Sequence, residues 1–449
     1  MINLLTLATS FLLGSSFFEL PQLTSAQDII YCNKTTSNCP SSAPCCSSSG
    51  QCGNGTYCMG GCDPRFSFSV DACIPQPVCQ SNTWDFTTDI VQSSEKYLGN
   101  ATDYQWTYES YGHILDYDEG MLLAMPKNSK GTVVSSTFYV WYGKVAAKFR
   151  SSHGAGVVSA YILFSNVQDE VDLEFIGSTL EEPQTNYYFQ GNLSLTHGKN
   201  LSTTNTNTNW HTYELDWTED SLTWSIDGKA GRVLHKNETY NATTGLYAYP
   251  QTPSRIQISI WPGGDSSNAP GTIAWAGGLV DWDVSEFEDP GYLYAMLDSV
   301  EVECYDPPSG TEKNGTKSYV YKNNQKDWTS DSVMITDEDT IIGDLNGSGL
   351  DRNLDEDDDE SSSSASKSST KTASKDSTKT TAADSEETTG SDDEDSGSGS
   401  NGKTSVSSDV SDFVQYYGSV TSKAGAASGS GMVSSFMGLL ALAVSCVLL

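Results

Sequence analysis

From residue 80 to about 305 the chain alternates. Apolar and β-branched residues trade places with polar ones in short runs at 133–138, 156–164, 185–190, 210–217 and 256–261, and Gly, Asn and Pro break the runs apart. Short, evenly spaced period-two segments predict strands with one face in a core, and many such strands predict an all-β sandwich. Helical periodicity is scarce; one short helix is predicted within 285–297.

The ends break this pattern. Residues 4–18 form an apolar run followed by the small residues Thr24-Ser25-Ala26, which predicts a signal peptide over 1–26. Residues 432–449 are apolar and uncharged, and Ala424-Gly425-Ala426-Ala427 with a polar spacer precedes them. That is the layout of a GPI-anchor signal over 425–449, with Gly425 as the attachment residue and lipid as the partner. A C-terminal transmembrane helix competes with it, but no basic stop-transfer residues follow. Residues 351–411 are nearly all Ser, Thr, Asp, Glu, Lys and Gly, which cannot bury enough apolar surface to order themselves. A mostly disordered, O-glycosylated stalk is therefore expected over 306–424.

Cysteine usage marks off one more region. Nine of the eleven cysteines fall between Cys32 and Cys79, Cys304 stands alone, and Cys446 lies in the tail expected to be removed. A cysteine-dense stretch with few aliphatic residues predicts a disulfide-held module over 27–79 in an oxidising compartment. Zinc is the competing reading, weakened by the lack of interleaved His. Nine sequons, at Asn33, Asn54, Asn100, Asn192, Asn200, Asn237, Asn241, Asn314 and Asn346, fit passage through the secretory pathway. The net charge of -34 over 449 residues argues against nucleic-acid binding, which needs basic patches.

The candidate chemistry sits in Asp169-Glu170-Val171-Asp172-Leu173-Glu174-Phe175. As a strand, it turns Val171, Leu173 and Phe175 into a core and lines Glu170, Asp172 and Glu174 along the opposite face. Crowded like charges raise at least one pKa, and glycosidic cleavage needs one protonated and one ionised carboxyl. Four strand residues span about 13 Å, so inward-leaning Glu170 and Glu174 would leave about 5–6 Å between carboxyls, close to the roughly 5–5.5 Å of a retaining glycosidase. An acidic solvated edge or a calcium site is the alternative. Two further runs suit carbohydrate: Arg255, Gln257, Ser259 and Trp261 share one strand face, and Asn186, Tyr188 and Gln190 share another.

Glu170-Val-Asp172-Leu-Glu174-Phe175-Ile176-Gly177 resembles the signature of glycoside hydrolase family 16, whose members are β-jelly-roll enzymes. Supporting stretches follow in order over roughly 85–300: Tyr142-Gly143-Lys144, Gln184-Thr185-Asn186, the run from His211 to Trp217, Ile226-Asp227-Gly228, Trp261-Pro-Gly-Gly264 and Gly271-Thr272 to Gly278. The last two blocks, with the cysteine-rich front and the anchored tail, resemble the Crh/Utr2 group of fungal cell-wall transglycosylases. That resemblance implies a catalytic jelly roll over 80–305 that cleaves chitin and joins it to β-glucan, working as a monomer without cofactor or metal. It implies Glu170 as nucleophile, Glu174 as proton donor and base, and Asp172 as helper. It carries over Gln257, Trp261, Thr272 and Trp275, with Asn186 and Tyr188, as substrate contacts. A plain endo-β-glucanase or chitinase, and a non-catalytic glycan-binding adhesin, are the rivals.

Cys32, Cys39, Cys45-Cys46, Cys52 and Cys58 resemble the hevein-type chitin-binding module. The resemblance implies the pairs Cys32–Cys46, Cys39–Cys52 and Cys45–Cys58, and leaves Cys62, Cys73, Cys79 and Cys304 three pairings. Ser49 and Gln51 stand where the family stacks aromatics, so only Tyr57 remains as a chitin-stacking candidate.

Overall fold

The computed structural model describes residues 29–352, apart from 111–112, 193 and 195. The expected signal peptide, anchor segment with Gly425, and residues 353–424 lie outside the described residues. Two eight-stranded sheets stack face to face. The strands that build the site and its support are β1 (Trp106–Ser110), β2 (Thr132–Ser136), β3 (Gly143–Arg150), β4 (Val157–Ser165), β5 (Glu170–Ile176), β6 (Gln184–Tyr188), β7 (His211–Trp217), β8 (Ser221–Ile226), β9 (Ser254–Pro262) and β10 (Tyr292–Cys304). One sheet runs β6-β5-β4-β9-β2-β1 through its middle, and the other contains β8-β7-β3-β10.

The alternation is cashed in between the sheets. Val171, Leu173 and Phe175 of β5, Tyr161 and Leu163 of β4, and Ile256, Ile258 and Ile260 of β9 meet Val145, Phe149, Tyr213, Leu215 and Trp224 of the opposite sheet. Aromatic edges lock this interior: Phe175 meets Phe149 at 4.9 Å and Tyr213 at 4.7 Å. Trp224 donates its indole N–H to the backbone oxygen of Asp172 at 2.9 Å, so the second sheet holds the acidic strand in place from below.

Three expectations change. The helix expected within 285–297 reduces to a 3-10 turn at Ser285–Phe287, and Tyr292 begins the 13-residue strand β10. Asp289-Pro290-Gly291 interrupts any helix there, and Leu293, Ala295 and Leu297 face the core with strand spacing. Among the described residues the α-helix is instead α1 (Pro270–Trp275), opened by Pro at its first turn.

The stretch after 305 is not uniformly stalk-like. Glu312–Asn314, Ser318–Tyr321 and Val333–Thr336 form a four-stranded sheet with Gln76–Pro77. Tyr319, Tyr321, Val333 and Ile335 join the main core. The polar composition of the whole segment hid this local alternation.

Gln190 leaves the face it was expected to share with Asn186 and Tyr188. The strand stops at Tyr188, Gln190 takes a left-handed backbone (φ 54), and its side chain donates to the carbonyls of Asp327 and Trp328.

Among the described residues five disulfides close the chain. Cys32 is joined to Cys46, Cys39 to Cys52 and Cys45 to Cys58. The four open cysteines pair as Cys62–Cys73 and Cys79–Cys304. The last bridges a sequence separation of 225, which restricts the unfolded chain most. Replacing Cys79 and Cys304 together by Ser is expected to lower stability by about 3–5 kcal/mol, read by denaturant unfolding. A loss of well under 1 kcal/mol would mean that the sheets alone already fix this pairing.

Candidate functional site

The register fixes what surrounds the acids. Glu170, Asp172 and Glu174 lie on one face of β5, opposite Phe164, Ile162 and Ala160 of β4 and opposite Tyr188, Asn186 and Gln184 of β6. One strand further, Arg255, Gln257, Ser259 and Trp261 of β9 continue the same rows. Beyond them, Ser135 of β2 pairs with Gln257 and Thr107 of β1. The candidates Asn186, Tyr188, Gln257 and Trp261 therefore share the face of the three acids.

The centre of this face is deeply set. Glu170, Asp172 and Glu174 are 5%, 1% and 4% exposed, between the apolar row of Ala160, Ile162 and Phe164 and the row from β6. Gln184, Asn186, Gln257, Thr272 and Trp275 around it are half-buried. Alternation specifies the shared face but not this depth, which depends on what the neighbouring strands place beside the acids.

Burial dominates the electrostatics. It pushes the Glu170 carboxyl up to about 8; the Glu174 charge adds to the rise, and a hydrogen bond with Asp172 opposes it. Burial, then the Glu170 charge, raises Asp172 well above the usual carboxylate range. Among the described residues no donor reaches either carboxyl oxygen of Asp172. Two carboxyls can bond to each other only if one carries the proton. Asp172 and Glu170, two residues apart on one face of β5, therefore act on one another, and at least one of the pair must hold a proton for the two to bond. Tyr188 is also raised, by burial and then by the neighbouring acids, so its phenol stays protonated. It accepts a hydrogen bond from the Asn186 amide at 2.8 Å.

Asp169, one residue before the acidic row, was not a candidate. It is fully buried and accepts from the backbone N–H groups of Gln190, Gln251 and Thr252 and from the Thr252 hydroxyl, at 2.8–3.1 Å. It pins the start of β5 to two loops. Burial still carries its carboxyl up to about 6.

The Glu174 end of the face carries an aromatic wall. Trp275, on α1, stacks against Trp261 with centroids 6.1 Å apart and donates its indole N–H to Gln184 at 2.9 Å. Thr272 lies one turn earlier on the same helix. Glycines permit this approach: a Cβ on Gly264 would fall 2.2 Å from the Gly278 carbonyl. Gln184 was legible only as part of a motif, because its role depends on a helix nearly ninety residues away.

In the cysteine module, Tyr57 is half-buried, its ring flat on Gly53, and it bonds Gln51 at 3.5 Å. Tyr31, 53% exposed, pairs with Gln51 across an isolated bridge and is an aromatic that the sequence comparison with hevein-type modules does not single out. None of the nine sequon asparagines is buried.

The family model of glycosyl hydrolases family 16 matches residues 100–277. Congo red hypersensitive protein 2 of Saccharomyces cerevisiae is 53% identical over 325 residues, covering 72% of this chain and 69% of that protein. Crh-like protein 2 of Aspergillus fumigatus is 50% identical over 339 residues, covering 75% and 74%. Among solved structures, an apo Crh5 transglycosylase is 30% identical, with 61% of this chain and 100% of that chain covered and a TM-score of 0.48.

Proposed function

Since the chain belongs to the Crh-like proteins of glycosyl hydrolase family 16, we propose that it is a retaining cell-wall transglycosylase that cleaves chitin and transfers the cleaved end to β-glucan. The observation that carries this reading is the row of three acids, sunk in one sheet face and flanked by the Trp261–Trp275 stack. Glu174 protonates the leaving oxygen while Glu170 attacks the anomeric carbon and forms a glycosyl-enzyme; Glu174 then takes the proton of the incoming hydroxyl. Asp172 supplies the hydrogen bond that lets Glu170 ionise in a dry site, helped by positive charge developing on the sugar. Trp261, Trp275, Gln257, Thr272, Asn186 and Tyr188 are the sugar contacts. A sugar hydroxyl displaces water as acceptor only if binding gives it a large effective molarity. The disulfides and the sequons support action outside the cell, in the wall, with a GPI lipid attached at Gly425.

Incubation with chitin oligosaccharides and a labelled β-glucan acceptor tests the proposal. Labelled chains carrying chitin ends are expected. Shortened chitin alone would make the protein a hydrolase.

Asp172 has a separable signature. Asp172→Ala is expected to lower kcat/KM by about 10²-fold and to move the acid limb of the pH profile upward, because Glu170 loses the donor that holds its pKa down. Asp172→Asn keeps a donor and recovers part of both losses. Identical profiles for Ala and Asn would remove the proton-sharing role.

A further inference from the structure

The cysteine module does not hang free of the sandwich. It is seated at the Glu170 end of the acidic face. Arg255, Phe164, Glu170 and Tyr188 are successive partners in one row across β9, β4, β5 and β6. With strands about 4.8 Å apart, the Arg255 backbone lies about 10 Å from that of Glu170. Gly60 of the module rests on Arg255: a Cβ there would fall 2.0 Å from its guanidinium Nη1. The next residue, Gly61, donates its N–H to Asn166 in the turn between β4 and β5 and to the Tyr139 hydroxyl, both at 3.2 Å. Lys34 and Arg65 donate to the Gln190 carbonyl beyond β6 at 3.1 and 3.4 Å. The module thus touches the same end of four neighbouring strands, β9, β4, β5 and β6.

A strap, residues 340–349, also holds it there. Ile342 is buried in the module's own core with Cys45, Cys58, Cys62, Ala72 and Ile74. The Gly55 N–H donates to the Gly347 carbonyl, and the Gly349 N–H to the Ala72 carbonyl, each at 2.8 Å. Thr340 ties the strap to Gly99 of the sandwich at 2.7 Å. Independent modules meet their neighbours through exposed linkers with few crossing contacts; this one is clamped between sheet and strap.

We propose that the cysteine module is a fixed end wall of the substrate face, opposite the Trp261–Trp275 wall, and that it limits how many sugar units a chitin chain can lay down on the Glu170 side. It is a specificity element of the cleft, where its resemblance would make it a separate lectin. The proposal rests on the acidic face being the glycan site, and it deepens that reading.

The test uses binding, so it does not depend on turnover. Affinity of the full chain for chitin oligosaccharides of increasing length is measured by calorimetry until it stops rising. In Asn166→Ala, which removes one seat of the module, and in Ile342→Ala, which loosens the strap, the plateau is expected to shift by one or more sugar units toward longer chains. Asn166→Ala removes the carboxamide, together with the bonds from Gly61 and Tyr139, and serves if Ile342→Ala does not fold. A plateau at the unaltered length in a folded variant overturns the wall. So does a loss of all chitin affinity in Tyr31→Ala or Tyr57→Ala, which would locate binding on the module itself. Failure of the transglycosylase reading would show separately, as absent turnover with the length plateau intact.

Discussion

Glu170→Gln and Glu174→Gln are each expected to give a folded protein whose turnover falls by at least about three orders of magnitude. Both substitutions keep shape and polarity and remove only the ability to ionise. In the proposed mechanism Glu170→Gln takes away the attacking carboxylate, so no glycosyl-enzyme can form. In the same scheme Glu174→Gln takes away the proton that the leaving oxygen needs, and the effect should shrink for donors with good leaving groups, which need little protonation. The measurement is release and transfer of labelled sugar, with circular dichroism and thermal unfolding run alongside. Undiminished function in either variant would make the face a glycan-binding surface of an adhesin.

The second large effect is on stability. Asp169 rises from 3.8 to about 6 and Glu170 from 4.5 to about 8, with Asp172 raised as well. Each folded group holds its proton more tightly than the unfolded chain does. Their stabilising contribution is complete below about pH 4 and is lost as pH climbs through the folded values. Carboxyls that shift the other way, such as Asp116 and Asp283, are exposed, carry little weight, and act below this window. Stability is expected to fall by several kcal/mol between about pH 4 and 8, lowering Tm by roughly 5–10 °C. Glu170→Gln should flatten the upper part of that slope and raise Tm at pH 8. Superimposable Tm profiles for the two proteins would mean that Glu170 is solvated after all.

Much of this was legible in the chain, for local reasons. The acidic row, its core-facing partners and the β9 face follow from period-two spacing, which each strand carries within itself. Other features had no local signal. The depth of Glu170 comes from Phe164 and Tyr188 in neighbouring strands, and Glu174 lies between Ala160 and Gln184. The strands over 312–336 escaped notice because polar composition outweighed four buried residues. The stop at Tyr188 and the outward turn of Gln190 depend on Asp327 and Trp328, far along the chain. Asp169 reads as one more acid in an acidic run; only its four donors distinguish it. The seating of the cysteine module needed Asn166, Arg255 and Ile342 at once, and nothing in the sequence connects them.

Ile342 also bears on how the protein is made. Its partners Cys45, Cys58, Cys62 and Ala72 leave the ribosome long before it does, and at ordinary translation speeds the wait is about ten seconds or more. Gln76 waits likewise for Tyr319, and Cys79 for Cys304. The cysteine-rich segment is therefore completed only by residues from the last third of the chain. A missense change at Tyr319 or Ile342 would therefore be felt first in the cysteine-rich segment near the start of the chain, whose sheet and core it would leave unfinished.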